Sequence, residues 1–391
     1  MLAHSPPLPL IIDFDADRDL TAEDEEGMML VLEQRDRVRR VRLHLPVSNL
    51  RKLIMAFDDE YPVLEYLIFG PSIEDNNINA LMLPETLQAP HLRHLSLEGF
   101  VLPVGSRLLT TATNLVTLAL AMSSPSTYFQ PSILLQWLSF MPQLETLAIV
   151  LLLPIPSRDV ERQLMHTPIV THPALPNLRW FWFHGVSAYM EAIVHRIATP
   201  RLETLGVMFF KQLTFSVPHL LQFVNTTEDL KFDTAKFEFF DGQVNAHSYL
   251  RAAQEGKRTL LVCVHCRHLD WQVSSMAQIF NPPGQVFSPV EHLILEHSVH
   301  HLSSEEHNEV DPAEWLVLLG SFSKVKTLRV DDGLVEQLSL CLGLDDGEHP
   351  LELLPELQEL TYSGRGDTGD AFSLFINARQ NAGHPVTLIR D

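Results

Sequence analysis

Residues 90–100 read PHLRHLSLEGF, and the same phrase returns as TNLVTLAL at 113–120, MPQLETLAIV at 141–150 and TPRLETLGVMF at 199–209. Each copy holds an apolar residue, two variable positions, a second apolar residue, one variable position and a third. The sets are Leu92, Leu95, Leu97; Leu115, Leu118, Leu120; Leu144, Leu147, Ile149; and Leu202, Leu205, Val207. The second and third members are two apart, the spacing of a strand that turns one face to a core. A phrase repeated along one chain marks a unit too small to bury its own apolar face, so copies must stack.

Further copies begin at Val38, Leu64, Leu178, Val290, Val325 and Leu357, with two blurred ones near Leu230 and Phe232 and near Leu260 and Val262. The total is about twelve. First positions at 92, 115, 144, 178 and 202 lie 23, 29, 34 and 24 residues apart, which leaves room for a helix in each unit. Helical spacing is present between the strand phrases, in Leu50, Leu53, Ile54, Phe57; in Ile133, Leu134, Trp137, Leu138; and in Met190, Ile193, Val194, Ile197. Thr21 with Asp24 is a capping pair ahead of Met28 to Leu32. Asp311 and Pro312 open another helix that Gly320 is expected to close. Prolines at 62, 90, 142, 176, 200, 289 and 355 stand just before strand phrases, where they are expected to stop the preceding helix.

This is the strand and helix unit of a leucine-rich repeat. The pattern predicts an α/β fold, an irregular leucine-rich-repeat solenoid bent into an arc or horseshoe, with one parallel sheet on the concave side and helices on the convex side. A single array over 1–391 is expected, with an N-terminal strand and helix cap at 1–37 and a C-terminal capping unit at 357–391. The Asn or Cys usual eight residues after the first Leu is missing, since Phe100, Ser123, Leu152, Val186 and Phe210 stand there, so turn carbonyls need other donors.

The bulk numbers narrow the function. With 28 Lys and Arg against 49 Asp and Glu, the formal net charge is −21, and a phosphate backbone is repelled on average. The alternating basic run Arg35, Arg37, Arg39, Arg40, Arg42 reads as a solvated face, so no nucleic-acid partner is expected. Three cysteines, Cys263, Cys266 and Cys341, do not make a disulfide framework, and they point to a reducing compartment, cytosol or nucleus. The opening MLAHSPPLPLIIDFD lacks a basic leader, and no stretch approaches the ~18 apolar residues of a membrane span.

The segments DLTAEDEEGMMLVLEQRDRVRRVRLHLPVSNLRKLIMAFDDEYPVLEYLIF and GDAFSLFINARQNAGHPVTLI resemble the leucine-rich-repeat region of F-box proteins from mushroom-forming fungi, and the likeness spans most of the chain. In that family an N-terminal F-box docks on the Skp1 subunit of a ubiquitin ligase and the repeats behind it present a substrate. The resemblance therefore implies substrate recognition rather than catalysis. Here the first residues run directly into IIDFDAD and the Thr21 helix with no Leu-Pro-x-Glu segment, so the F-box, and Skp1-type docking with it, are expected to be missing.

If the second and third apolar residues of each phrase point inward, the residues before, between and after them face out. That rule lists Arg40, Arg42, His44; Tyr66, Ile68; His94, Ser96, Glu98; Thr117, Ala119, Ala121; Thr146, Ala148, Val150; Trp180, Trp182, His184; Thr204, Gly206, Met208; His292, Ile294, Glu296; and Thr327, Arg329, Asp331. Trp180 and Trp182 fall among small or apolar neighbours. Aromatic anchors within a polar rim are where interfaces concentrate their binding energy. The expected partner surface is Tyr66, Val150, Trp180, Trp182, His184, Met208 and Arg329; the alternative is that both indoles simply cover the small residues beside them.

Signals of chemistry are few. Gly364, Gly366 and Gly369 form a GxGxxG between the strand Leu360 to Tyr362 and the helix Ala371 to Ala378, with Asp391 22 residues after Gly369, the context of a dinucleotide site. A nucleotide-binding α/β enzyme is thus the alternative reading. Asp367 and Asp370 would face the pyrophosphate, and a terminal turn accounts for the same residues. Cys263 and Cys266, flanked by His265 and His268, lack the second pair that zinc needs. His292, His297, His300, His301 and His307, with Glu305 and Glu306, show no fixed ligand spacing and read as a solvated loop. No catalytic residues, metal or cofactor are expected.

Overall fold

A computed structural model of the chain describes residues 8–16, 18–72, 80–103, 105–153, 171–252, 259–281, 287, 289–298, 310–343, 353–363 and 371–390. The chain divides into two compact units, Met1–Glu203 and Thr204–Asp391.

The first unit runs β1 (Leu10–Asp15), α1 (Ala22–Leu32), β2 (Val38–Leu45), α2 (Val47–Ile54), β3 (Tyr66–Pro71), β4 (Leu81–Met82), β5 (His94–Glu98), β6 (Phe100–Val101), α3 (Arg107–Thr111), β7 (Thr117–Met122), α4 (Pro131–Leu138), β8 (Thr146–Leu151), β9 (Trp180–Gly185) and α5 (Ser187–Val194). β1, β2, β3, β5, β7, β8 and β9 lie side by side in that order, every pair parallel. β4 and β6 make a separate short pair. The register keeps the repeat phrases in phase, so Leu95, Leu118, Leu147 and Phe181 form one row and Leu97, Leu120, Ile149 and Phe183 the next. Both rows are no more than 2% exposed.

Several strands are entered by the same turn. Leu64, Leu92, Leu144, Leu178 and Leu202 donate their backbone N–H to the carbonyl three residues back, on Tyr61, Ala89, Met141, Leu175 and Thr199. A proline follows that carbonyl residue each time, at the position where its fixed φ suits a turn. The prolines therefore shape the turn into the strand rather than stop the helix: α4 ends at Leu138 and α5 at Val194, ahead of Pro142 and Pro200. In place of a side-chain ladder, backbone donors reach across: Gly99 N to Ala121 O at 2.9 Å and Leu152 N to Met122 O at 2.9 Å. Thr21 caps α1 as expected, accepting from Asp24 N at 3.2 Å.

The second unit runs β10 (Thr204–Phe209), α6 (Pro218–Thr226), β11 (Thr234–Phe240), β12 (Gln243–Tyr249), β13 (Leu260–His265), α7 (Leu269–Phe280), β14 (His292–Ser298), α8 (Pro312–Gly320), β15 (Thr327–Val330), α9 (Asp332–Gly343), β16 (Glu359–Tyr362), α10 (Ser373–Asn381) and β17 (Thr387–Arg390). Here the expectation of a wholly parallel sheet fails. β10 pairs with β13, β13 with β12, β12 with β11 and β11 with β14, and β12 is antiparallel to both neighbours. The cause is the two-residue link Asp241 and Gly242, an Asp-Gly hairpin signal between alternating strands, which folds the chain back before the next repeat can stack. The blurred phrase is also re-registered: Ala235, Phe237 and Phe239 face the core of β11, and Phe232 takes the leading position. Beyond β14 the order returns to β15, β16 and β17, all parallel.

Asp311 caps α8 through Ala313 N at 2.9 Å, as expected, but the helix includes Gly320 and Ser321 is its C-cap. At the end of the unit the wholly buried Arg379 of α10 donates to the carbonyls of Leu353, Leu354, Pro355 and Leu357 at 3.0–3.4 Å, pinning the turn that enters β16. Burial pulls this guanidinium below its ordinary value. Leu354 in that turn has φ 49°, a left-handed conformation that costs a branched side chain energy. Each unit is thus α/β with the strand and helix alternation of a leucine-rich repeat. Among the described residues no helix is long and apolar enough to cross a membrane.

Candidate functional site

The strands of the first unit alternate between buried and partly exposed residues, and β7, β8 and β9 do so without a fault. The outward positions form three rows across the sheet. One runs Arg40, Tyr66, His94, Thr117, Thr146, Trp180; a second runs Arg42, Ile68, Ser96, Ala119, Ala148, Trp182; the third includes Ala121, Val150 and His184. No outward side chain on β7 or β8 is larger than Val or Thr. They make a floor with aromatic groups on both sides.

On one side Trp180 and Trp182 stack, ring centroids 6.0 Å apart and planes 8° from parallel. On the other, Tyr66 meets His94 at 5.5 Å, and the Arg40 guanidinium lies 4.2 Å above the Tyr66 ring. β5 and β9 are separated by three strand spacings, about 14 Å, so the floor is wide enough for an extended segment or a slim helix. Alternation of side chains places both indoles outward, and their mutual stacking holds them there in partly exposed positions.

The charges around the floor are settled locally. Arg40 and Arg42 approach Asp13 and Asp15 at 3.6–3.9 Å, and Arg39 pairs with Glu65 at 2.9 Å. Arg35 bonds Asp58 and Asp59. Arg37 donates to the Leu8 carbonyl, and the other four arginines of the basic run are matched by carboxylates. Burial pushes the Glu98 carboxyl above its ordinary value while His44 acts the other way. Burial, then Arg93 and Arg40, hold the His94 imidazole below its ordinary value. The role of Tyr66, His94 and Arg40 as a second aromatic side was absent from the sequence reading; only the register that brings three strands together reveals it.

Of the residues expected at the partner surface, Tyr66, Val150, Trp180, Trp182 and His184 stand on this face of the first unit. Met208 and Arg329 belong to the second unit, on β10 and β15, where they also face outward. The second unit's face is of another kind. Lys236 on β11 lies 2.7 Å from Glu238 and 2.9 Å from Glu296, and His247 lies 2.7 Å from the other oxygen of Glu238. Burial alone lowers Lys236, but its bonds to the two carboxylates outweigh this and raise it. Burial likewise lifts Glu238, yet the bonds from Lys236 and His247 leave it below its ordinary value.

The remaining signals of chemistry resolve as follows. Cys263 lies in β13, as its alternation predicts, and both it and Cys266 are buried thiols pushed up to about 12 by burial. Among the described residues no group of three His, Cys, Asp or Glu is arranged to hold a metal ion. His292 bonds Thr327 at 2.8 Å, and His297 is lowered by burial, with Asp331 and Asp241 opposing. His300, His301 and His307 lie outside the described residues, as does the whole of Gly364 to Gly369; the elements described before and after those glycines are the strand β16 and the helix α10.

No family model matches the chain, and no curated protein matches it. Among solved structures it is similar to the leucine-rich repeat-containing protein LegL7 from Legionella pneumophila, at 12% identity and a TM-score of 0.30, over 96% of this chain and 98% of that one. The fold follows from the strand ladders above, not from that distant likeness.

Proposed function

We propose that the protein is a non-catalytic recognition module that binds another protein on the outward face of its first unit, with Trp180 and Trp182 as anchors. One observation carries this reading: a stacked, partly exposed indole pair stands beside a floor of Ala119, Ala121, Ala148 and Val150. Trp is enriched among residues that dominate binding energy, and small neighbours leave room for a partner's side chains. Tyr66 and His184 border the same floor; Met208 and Arg329 face outward on the second unit and are no part of this floor.

The test is a Trp180→Ala/Trp182→Ala variant with melting temperature and circular dichroism checked against wild type. Quantitative affinity purification should then show the wild-type partners reduced at least about tenfold, since each hot spot commonly contributes about 2 kcal/mol or more. An unchanged partner list would mean that the indoles serve packing alone. The resemblance to fungal F-box proteins extends the proposal to selection of ubiquitination substrates in cytosol or nucleus. Recovery of a Skp1-type adaptor in the same purifications supports that extension; its absence removes the extension and leaves partner binding standing.

A further inference from the structure

A cavity of about 360 Å³ opens in the second unit where the segment after β10, the link between β11 and β12, and the start of α7 come together. Its charged lining is cationic throughout: Lys211 and Arg267, with the imidazoles of His265 and His268 beside them. That is unexpected in a chain of net charge −21. The Lys211 ammonium sits 2.9 Å from the centroid of the Trp271 ring, and His268 meets the same indole edge-on at 5.5 Å. A cation held against a ring face keeps N–H donors free to point away from it.

Three further facts define the site. Trp271 is 44% exposed, so one apolar wall remains accessible. Gly242, in the hairpin link, has nothing within 4 Å of where a Cβ would stand, which leaves that side of the mouth open. Asp270, in the first turn of α7, is not part of the lining, although with Lys211 it acts on the Cys266 thiol that is. The volume suits a small organic ligand. Two separate cations with imidazole donors match the spread charge of a phosphate better than the single charge of a carboxylate.

We propose that this cavity binds a phosphate-bearing ligand, its oxygens held by Lys211 and Arg267 and an adjoining planar group laid against the part of Trp271 that Lys211 leaves exposed. The site is in the other unit from the Trp180 and Trp182 face, so it stands or falls apart from partner recognition there.

Isothermal titration of the full chain with phenyl phosphate and with inorganic phosphate tests it. Phenyl phosphate should bind one to one, and Lys211→Ala and Arg267→Ala should each weaken it by about tenfold or more. Both side chains are exposed, so these variants should keep the wild-type melting temperature. Trp271→Ala, which removes both the apolar wall and the ring that seats Lys211, should weaken both probes and phenyl phosphate the more, and Asp270→Asn, which removes a nearby negative charge, should tighten both. Lys326→Ala, a cation paired with Glu291 elsewhere in the unit, should change nothing. A phosphotyrosyl peptide that binds more tightly than phenyl phosphate identifies a modified protein as the source of the group; equal or weaker binding identifies a free metabolite. The proposal is overturned if neither small probe binds more tightly than about 10 mM, or if binding survives both cation substitutions.

Discussion

Outward from β7 and β8 in the first unit stand Thr117, Ala119, Ala121, Thr146, Ala148 and Val150; outward from β11 and β14 in the second stand Lys236, Glu238, His292, Ile294 and Glu296. The backbones beneath are alike, parallel strands whose inward residues are apolar: Leu, Ile and Met in the first unit, Leu, Phe and Ala in the second. The first face leaves small apolar surface beside exposed aromatics, and the second ties its charges to one another at 2.7–2.9 Å. A half-buried carboxylate satisfied by a lysine and a histidine has little to gain from a new partner, whereas an apolar floor gains whenever water leaves it. The repeat thus fixes where side chains point, and the outward residues alone decide which face is available for binding.

If that division holds, inward positions should not distinguish the units. Leu147→Ala in β8 should cost about 2–5 kcal/mol and Phe237→Ala in β11 about 3–5 kcal/mol in urea denaturation, the range for large-to-small changes in packed cores. Leu147 and Phe237 are both fully buried. A cost below about 1 kcal/mol at either site would show that its row is loosely packed and that the two backbones are not equivalent supports.

The same division explains what could be read from the sequence. Strand positions were legible because leucines at fixed offsets have only one way to reach a common core, and parity then placed Trp180 and Trp182 outward. The exchange of β11 and β13 in the strand order was not legible. Phe232, Ala235 and Phe237 stand where leucines usually do, which blurred the phrase, and pairing between β10 and β13 is a long-range choice that no local pattern records. The Asp241 and Gly242 hairpin signal was present and went unread. Lys211, Gly242, Arg267 and Trp271 carry no shared motif; only the refolded strand order brings them to one cavity.

Outward substitutions should separate the faces by smaller amounts. Ala148 neighbours Trp182 across the sheet, while Ile294 sits between Lys236 and Arg329. Ala148→Glu should abolish partner recovery and lower stability by less than about 1 kcal/mol. Ile294→Glu places a carboxylate between two cations, so it should leave stability unchanged or raise it by about 0.2–1 kcal/mol. If Ile294→Glu were the more damaging of the two in thermal melts, the second face would have to be an apolar surface in its own right.

The smallest effects concern two carboxylates shifted in opposite directions. Glu238 lies below its ordinary value of 4.5, so the folded chain gives up this proton more readily than the unfolded one; its stabilisation is complete above that value and lost as pH falls through the lowered one. Glu98 lies above 4.5, so the folded chain holds its proton longer, and stability declines as pH rises from the ordinary value through the raised one. Urea denaturation between about pH 4 and pH 7 should therefore show Glu238→Gln losing stability at the neutral end. Glu98→Gln should gain there, by well under about 1 kcal/mol because solvent screens a partly exposed group, and should match wild type at the acid end. A neutral-pH loss in Glu98→Gln would mean that the carboxylate is held by a partner after all, and the first face would then resemble the second at its border, with Ala119, Ala121, Ala148 and Val150 as the apolar part that remains.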